Sequence, residues 1–232
     1  MTFSLAASCE ATGAFGVCAA TADLAVGGRV AHVAAGVGAV LTQHRTDPRL
    51  GPRALDLLRS GCGAAETVAA LVASTPAARW RQLAAVDANA ETAAFSGSEV
   101  VTTSAEQHGP GCVAIGNMLA SAEIGAAMVV AFGTQASSPL AERLMRALEA
   151  ADRAGGETAA TRSAVVLVSL DPGMHLVDLR IDDDPEPVVA LRELWDAYRP
   201  WVEDLRMRAL DPDRARGLPD AADRQHLGGQ GR

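Results

Sequence analysis

Met1-Thr-Phe-Ser-Leu-Ala-Ala-Ser-Cys9 opens the chain with a short segment that alternates like a strand, with Thr2 at its head. Thr2 is small enough for the processing aminopeptidase to remove Met1, which would leave a free α-amine on a residue that carries a hydroxyl. Such a residue holds nucleophile and base together, because its amine can take the proton of its own hydroxyl. α-Amino groups titrate near ~7.7–8.0, close to working pH, which suits that role. Phe15–Thr21 reads as the next strand, joined to the first by a turn at Glu10-Ala-Thr-Gly13.

Composition narrows the remaining choices. The chain has 232 residues, 49% of them hydrophobic, enough for a sizeable core in one domain. The expected organisation is a single domain over 1–209 and a flexible tail over 210–232, where Pro, Gly, Asp and Arg dominate. A formal charge of −8 argues against nucleic acid or an anionic membrane as partner, and no apolar run is long enough to span a bilayer. All 20 basic residues are Arg. The absence of Lys excludes a Schiff base, a Walker-type phosphate loop and a lysine general base. Cys9, Cys18, Cys62 and Cys112 are widely spaced, and the five His lack helical ligand spacing. Neither a disulfide framework nor a metal site is expected, no cofactor is called for, and the cysteines suit a reduced, cytoplasmic protein.

Further along, Val30–Gln43 is long and apolar with Gly36 and Gly38 inside it, so it reads as one or two strands with a bulge or tight bend. Helices are expected after Gly51-Pro52, over Ala64–Ala73, from Ser121, and from Ser138-Pro139 with Ser as cap. Strands are expected at Gln82–Val86, Glu91–Phe95, Cys112–Ile115, Ser163–Leu170 and His175–Ile181. A last helix should run from Pro187 to Met207 with Pro200 kinking or splitting it. Groups of strands interleaved with helical pairs, without βαβ alternation, suit an α+β fold. The arrangement that uses this order is a four-layer αββα sandwich, two antiparallel sheets between helical layers, with residue 2 presented to the cleft between the sheets.

Several separated motifs carry a family resemblance: Met1-Thr-Phe-Ser4, Ala34-Ala-Gly-Val-Gly-Ala39 leading to Thr42-Gln43, Asp47-Pro-Arg-Leu-Gly-Pro52, Val86-Asp87, Gly116-Asn-Met-Leu119, and Val177-Asp-Leu-Arg-Ile-Asp-Asp183. Over Met1–Met207 the chain resembles a bacterial and archaeal family, domain of unknown function 1028, assigned to the N-terminal-nucleophile (Ntn) hydrolase superfamily. The resemblance implies amide-bond hydrolysis by a processed N-terminal residue, here Thr2. Unlike the proteasome-type members of that superfamily, this chain has no Lys to depress the amine's pKa.

Around Thr2 the candidate oxyanion and substrate residues are Gln43, Asn117, Thr21, Arg29 and Arg162. Gln43 ends the long apolar strand, where its amide would either stabilise an oxyanion or fix the turn. Asn117 follows Gly116 just before a helix, placed either for negative charge or for turn geometry. Thr21 ends the second strand within reach of the α-amine, and the two Arg precede an early and a late strand. The expected activity is an Ntn-type amidohydrolase acting on a small amide, peptide fragment or lactam, in a homodimer or higher homo-oligomer. The alternatives are a catalytically silent binding or assembly protein on the same fold, and a biosynthetic acyl-transfer enzyme using the same cleft.

Overall fold

A computed structural model describes residues 1–100 and 102–215. Two compact units follow one another in the chain, Met1–Leu191 and a second beginning at Arg192. Of the expected tail, residues 216–232 lie outside the described residues.

The first unit is built on a six-stranded antiparallel sheet whose centre is the opening segment. Strand β1 (Thr2–Cys9) is flanked by β2 (Ala14–Thr21) and by β8 (Cys112–Asn117). On one side Phe3 faces Ala20 and Cys9 faces Ala14; on the other Thr2 faces Asn117 and Ala7 faces Cys112. β9 (Ser163–Ser169) and β10 (Val177–Ile181) extend the sheet beyond β2, and β7 (Ser104–Gly109) closes it beyond β8. A second antiparallel sheet is a meander of β3 (Ala31–Ala34), β4 (Gly38–Gln43), β5 (Gln82–Asp87) and β6 (Thr92–Ser96).

Period-two alternation decides which side chains meet. Ala6, Val17, Ala19, Val113, Ile115 and Val165 of the first sheet pack into one buried cluster with Ala39, Leu41, Ala84 and Val86 of the second. The opposite face of the small sheet, with Val40, Leu83 and Ala85, packs against α1 (Leu50–Arg59) and α2 (Ala64–Ser74) through Ala54, Leu58, Val68 and Leu71. α3 (Ile124–Gly133) contacts β7 and β8, while α4 (Leu140–Arg153) lies on β1, β2 and β9. The result is a mixed α+β structure with two antiparallel sheets.

The element order matches the sequence expectation, with informative exceptions. β7 was not expected, because Ser-Ala-Glu-Gln-His-Gly has no apolar alternation; it is an edge strand whose polar residues face outward. Val30–Gln43 resolves into the hairpin β3–β4, turning at Gly36 in the left-handed region. Ser138 does not cap α4: Pro139 occupies the cap position and no side-chain cap bond forms. Ser121 likewise stands ahead of α3's cap, accepting the N–H of Glu123. Pro200 does split the last helix, into α5 (Pro187–Tyr198), a 3-10 turn over Arg199–Trp201, and α6 (Val202–Leu210). The described part of the second unit comprises the end of α5, that turn, α6 and the residues to 215, with Arg192–Asp196 and Arg208–Asp204 ion pairs along the helices.

Gly38 shows how tightly the small sheet is fitted. Its φ is +155°, and a Cβ there would run into the Val86 carbonyl oxygen and lie 2.9 Å from Leu58 Cδ1. Gly38→Ala should therefore cost roughly 2–4 kcal/mol, from backbone strain and overpacking together. A urea midpoint lowered accordingly, with an unchanged slope, is the expected reading; a midpoint within error of wild type would contradict this packing.

Candidate active site

Register places the first candidate residues side by side. Thr2 lies opposite Asn117 on β8, and the pairing of Phe3 with Ala20 puts Thr21 on its other flank. Alternation from Ala6, which lies in the cluster between the sheets, assigns Ser4 and Thr2 to that same face. Thr2 is only 5% exposed. The hydroxyls of Thr2 and Thr21 both donate to the Met1 carbonyl, and they lie 3.4 Å from each other. Thr158 Oγ1 donates to the Met1 sulfur at 3.5 Å. Three threonines thus hold Met1 over the head of β1.

Beneath Thr2 runs a chain of fully buried polar side chains. Ser4 Oγ donates to Gln43 Oε1 at 2.6 Å, and Gln43 Nε2 donates to Gln82 Oε1 at 2.8 Å. Asn117 Nδ2 donates to the same Gln82 oxygen at 3.0 Å. Gln82 Nε2 donates onward to the Gly116 carbonyl at 2.9 Å and to Ser96 Oγ at 3.1 Å. Gln43 is accordingly buried with both ends of its amide engaged. Asn117 keeps one group unused: its Oδ1 is buried without a hydrogen-bond partner among the described residues. An acceptor without a donor is costly in a dry interior, so its persistence beside Thr2 singles it out.

The two arginines sit differently. Arg29 turns its guanidinium onto the Leu24 carbonyl at 2.7 Å. Arg162 forms an exposed ion pair with Asp183, and only its backbone N–H reaches toward the site, donating to the Thr21 carbonyl at 2.8 Å. Neither side chain is joined to Thr2. The structure brings together Thr2, Thr21, Asn117 and, one layer below, Gln43.

It also adds a residue that sequence reasoning missed. Glu157 is 6% exposed; its Oε2 accepts the Ala22 N–H at 3.0 Å, and its Oε1 is buried with no partner among the described residues. A bridge between Leu119 and Glu157, continued by the Thr158 N–H on the Met118 carbonyl, ties this segment beside the end of β8. Burial pushes the Glu157 carboxyl up to about 7, with Asp23 acting in the same direction. The Ala22 N–H and the positive terminal amine pull it the other way. The available sequence signal was the Gly155-Gly156 pair ahead of it, where both residues take positive φ and Gly156 lies against the Phe3 ring, too close for a side chain to fit easily. Gln82 offered another, as a polar residue leading an otherwise apolar strand.

The model of a family described as "Family of unknown function (DUF1028)" matches residues 2–191. The chain belongs to this DUF1028 family. A crystal structure of protein SPO2555 from Silicibacter pomeroyi, assigned to the same family, superposes with a TM-score of 0.79 at 34% identity, covering 85% of each chain. No curated protein matches the chain. Thr2, Thr21, Gln43, Gln82, Asn117 and Glu157 all lie within the DUF1028 match.

Glu157 yields a pH prediction. In the unfolded chain its carboxyl ionises near its ordinary 4.5, whereas in the fold it does so near 7. The unfolded state therefore loses the proton first as pH rises, and ionisation works against folding. The penalty is absent below pH 4.5, grows between 4.5 and 7, and is complete above 7. Glu157→Gln removes it, so the stability of E157Q relative to wild type should rise by roughly 3 kcal/mol across that window. Urea titrations at several pH values check this, and a pH-independent difference would overturn the assignment.

Proposed function

We propose that this DUF1028 chain is an Ntn-type amide hydrolase on a four-layer αββα sandwich, with Thr2 as nucleophile once Met1 is removed. The layering of α1 and α2, the small sheet, the large sheet, then α3 and α4 supports that architecture. The observation that carries the activity is the grip on Met1. The same Thr2 hydroxyl that now donates to the Met1 carbonyl would be freed by excising that one residue, beside a buried carboxylate and an unpaired amide oxygen.

In the proposed reaction the Thr2 hydroxyl attacks the amide carbonyl and gives its proton to the Thr2 α-amine. The amine passes the proton to the leaving nitrogen, and water then hydrolyses the resulting ester with the amine again as base. Thr21 orients the hydroxyl from 3.4 Å. Glu157 and Asn117 Oδ1 supply acceptors for the amine, taking over the positioning that a lysine-free chain has to find elsewhere. A small amide, peptide fragment or lactam is the substrate class that fits, and a homo-oligomer is part of the same reading. A second reading, a catalytically silent binding protein on the same fold, is favoured by one observation: a cleft of about 810 Å³ opens around Cys9, at the other end of β1 from Thr2.

Intact mass of untagged protein should show Met1 absent and a single adduct on Thr2 after treatment with a β-lactone. Thr2→Ala should take no adduct and lose at least about a thousandfold in turnover of any N-acyl p-nitroanilide that wild type cleaves. Met1 retained throughout, or equal turnover by T2A, would overturn the proposal.

A further inference from the structure

The cleft at the far end of β1 is a site of its own, independent of Thr2 and its chemistry. Four hairpin turns meet there: Cys9–Gly13 between β1 and β2, Gly36 between β3 and β4, Ala88–Ala90 between β5 and β6, and Pro110-Gly111 between β7 and β8. The end of α3 closes one side with Val129, Phe132 and Gly133. Phe15, Val129, Phe132 and the alanines make most of the wall apolar, over about 810 Å³.

One cation lies in that wall. Arg143, on α4, is 9% exposed and lines the cleft. Its Nε donates to the Phe132 carbonyl at 3.1 Å, and its guanidinium carbon sits 3.9 Å from the centre of the Phe132 ring. The plane and direction of the guanidinium are therefore fixed. Its two terminal nitrogens have no hydrogen-bond or ion-pair partner among the described residues, although Glu142 beside it pairs with Arg146. A nearly buried, oriented guanidinium whose two terminal donors are left to solvent in a mostly apolar wall presents them ready-aligned to an anion. Cys112, close by, does not: burial pushes its thiol up to about 11, so it stays neutral.

We propose that this cleft binds a small carboxylate with a short apolar body, its carboxylate held by the paired terminal N–H groups of Arg143 and its apolar part against Phe15 and Phe132. Planar bidentate geometry matches a carboxylate. Glu10 lines the same cleft and opposes a second negative charge on the ligand, which favours a monoanion over phosphate.

Hexanoate is the probe, titrated into the full chain and followed by amide NMR, with hexan-1-ol and inorganic phosphate as comparisons. Saturable shifts are expected at Phe132, Gly133 and Gly111, with hexan-1-ol and phosphate each at least tenfold weaker. Arg143→Gln should weaken hexanoate at least tenfold. Because that variant disturbs a buried contact, Gly133→Leu serves as the second: Gly133 lines the cleft and a Cβ there meets nothing within 4 Å, so a larger side chain can be added at the cleft wall while Arg143 stays intact. It too should weaken hexanoate tenfold. No saturable shift up to about 20 mM, which would place any affinity below the millimolar range, would overturn the site. So would wild-type affinity in folded R143Q or G133L, or phosphate binding more tightly than hexanoate.

Discussion

The two sheets are bolted together near Thr2 by four buried amide and hydroxyl side chains. Ser4 and Asn117 come from the large sheet, Gln43 and Gln82 from the small one, and the oxygen of Gln82 receives a donor from each sheet. Apolar packing between sheets is tolerant of sliding; a buried network is not, since each broken bond leaves a desolvated polar group. The network therefore fixes the sheets' offset at the end where β1 begins. The places of Thr2, Thr21 and Asn117 relative to one another follow from that offset together with the strand register.

Most of the fold could be read from the chain because its signals were local. The opening hairpin, the helix before Gly155-Gly156 and the split at Pro200 each rest on a few neighbouring residues whose conformational preferences agree with the final structure, whereas α1 starts at Leu50, with Gly51-Pro52 inside its first turn rather than ahead of it. β7 was hidden because an edge strand has no need of an apolar face there. The caps of α3 and α4 were misplaced by one or two residues, since Ser121 and Ser138 announce the turn before the helix rather than its first residue.

The site was only half legible, for a physical reason. Thr2, Thr21 and Asn117 lie at strand ends that pair directly, so strand order alone brings them together. Glu157 comes to this end of the sheet from a segment far along the chain from Thr2 and Thr21, through one bridge to Leu119 and a bond from the Ala22 N–H, which no periodicity announces. Arg29 and Arg162 illustrate the converse. Standing before the right strands, they spend their charge on the Leu24 carbonyl and on Asp183. A guanidinium's reach is long enough that its sequence position says little about its partner.

The central position of β1 also sets a timetable. Thr2 is nearly buried because β2 closes over it on one side and β8, which starts only at Cys112, on the other. At about 5–20 residues per second, translation separates the emergence of β1 from that of β8 by roughly ten seconds. Until β8 is made, β1 has one unpaired edge; once β8 pairs, β1 is an interior strand whose Met1 is held by three threonine hydroxyls. On the proposed reading, in which Met1 is excised, the sheet order would make that excision a matter of kinetics at the ribosome, with the strand that completes the sheet also ending access to Thr2.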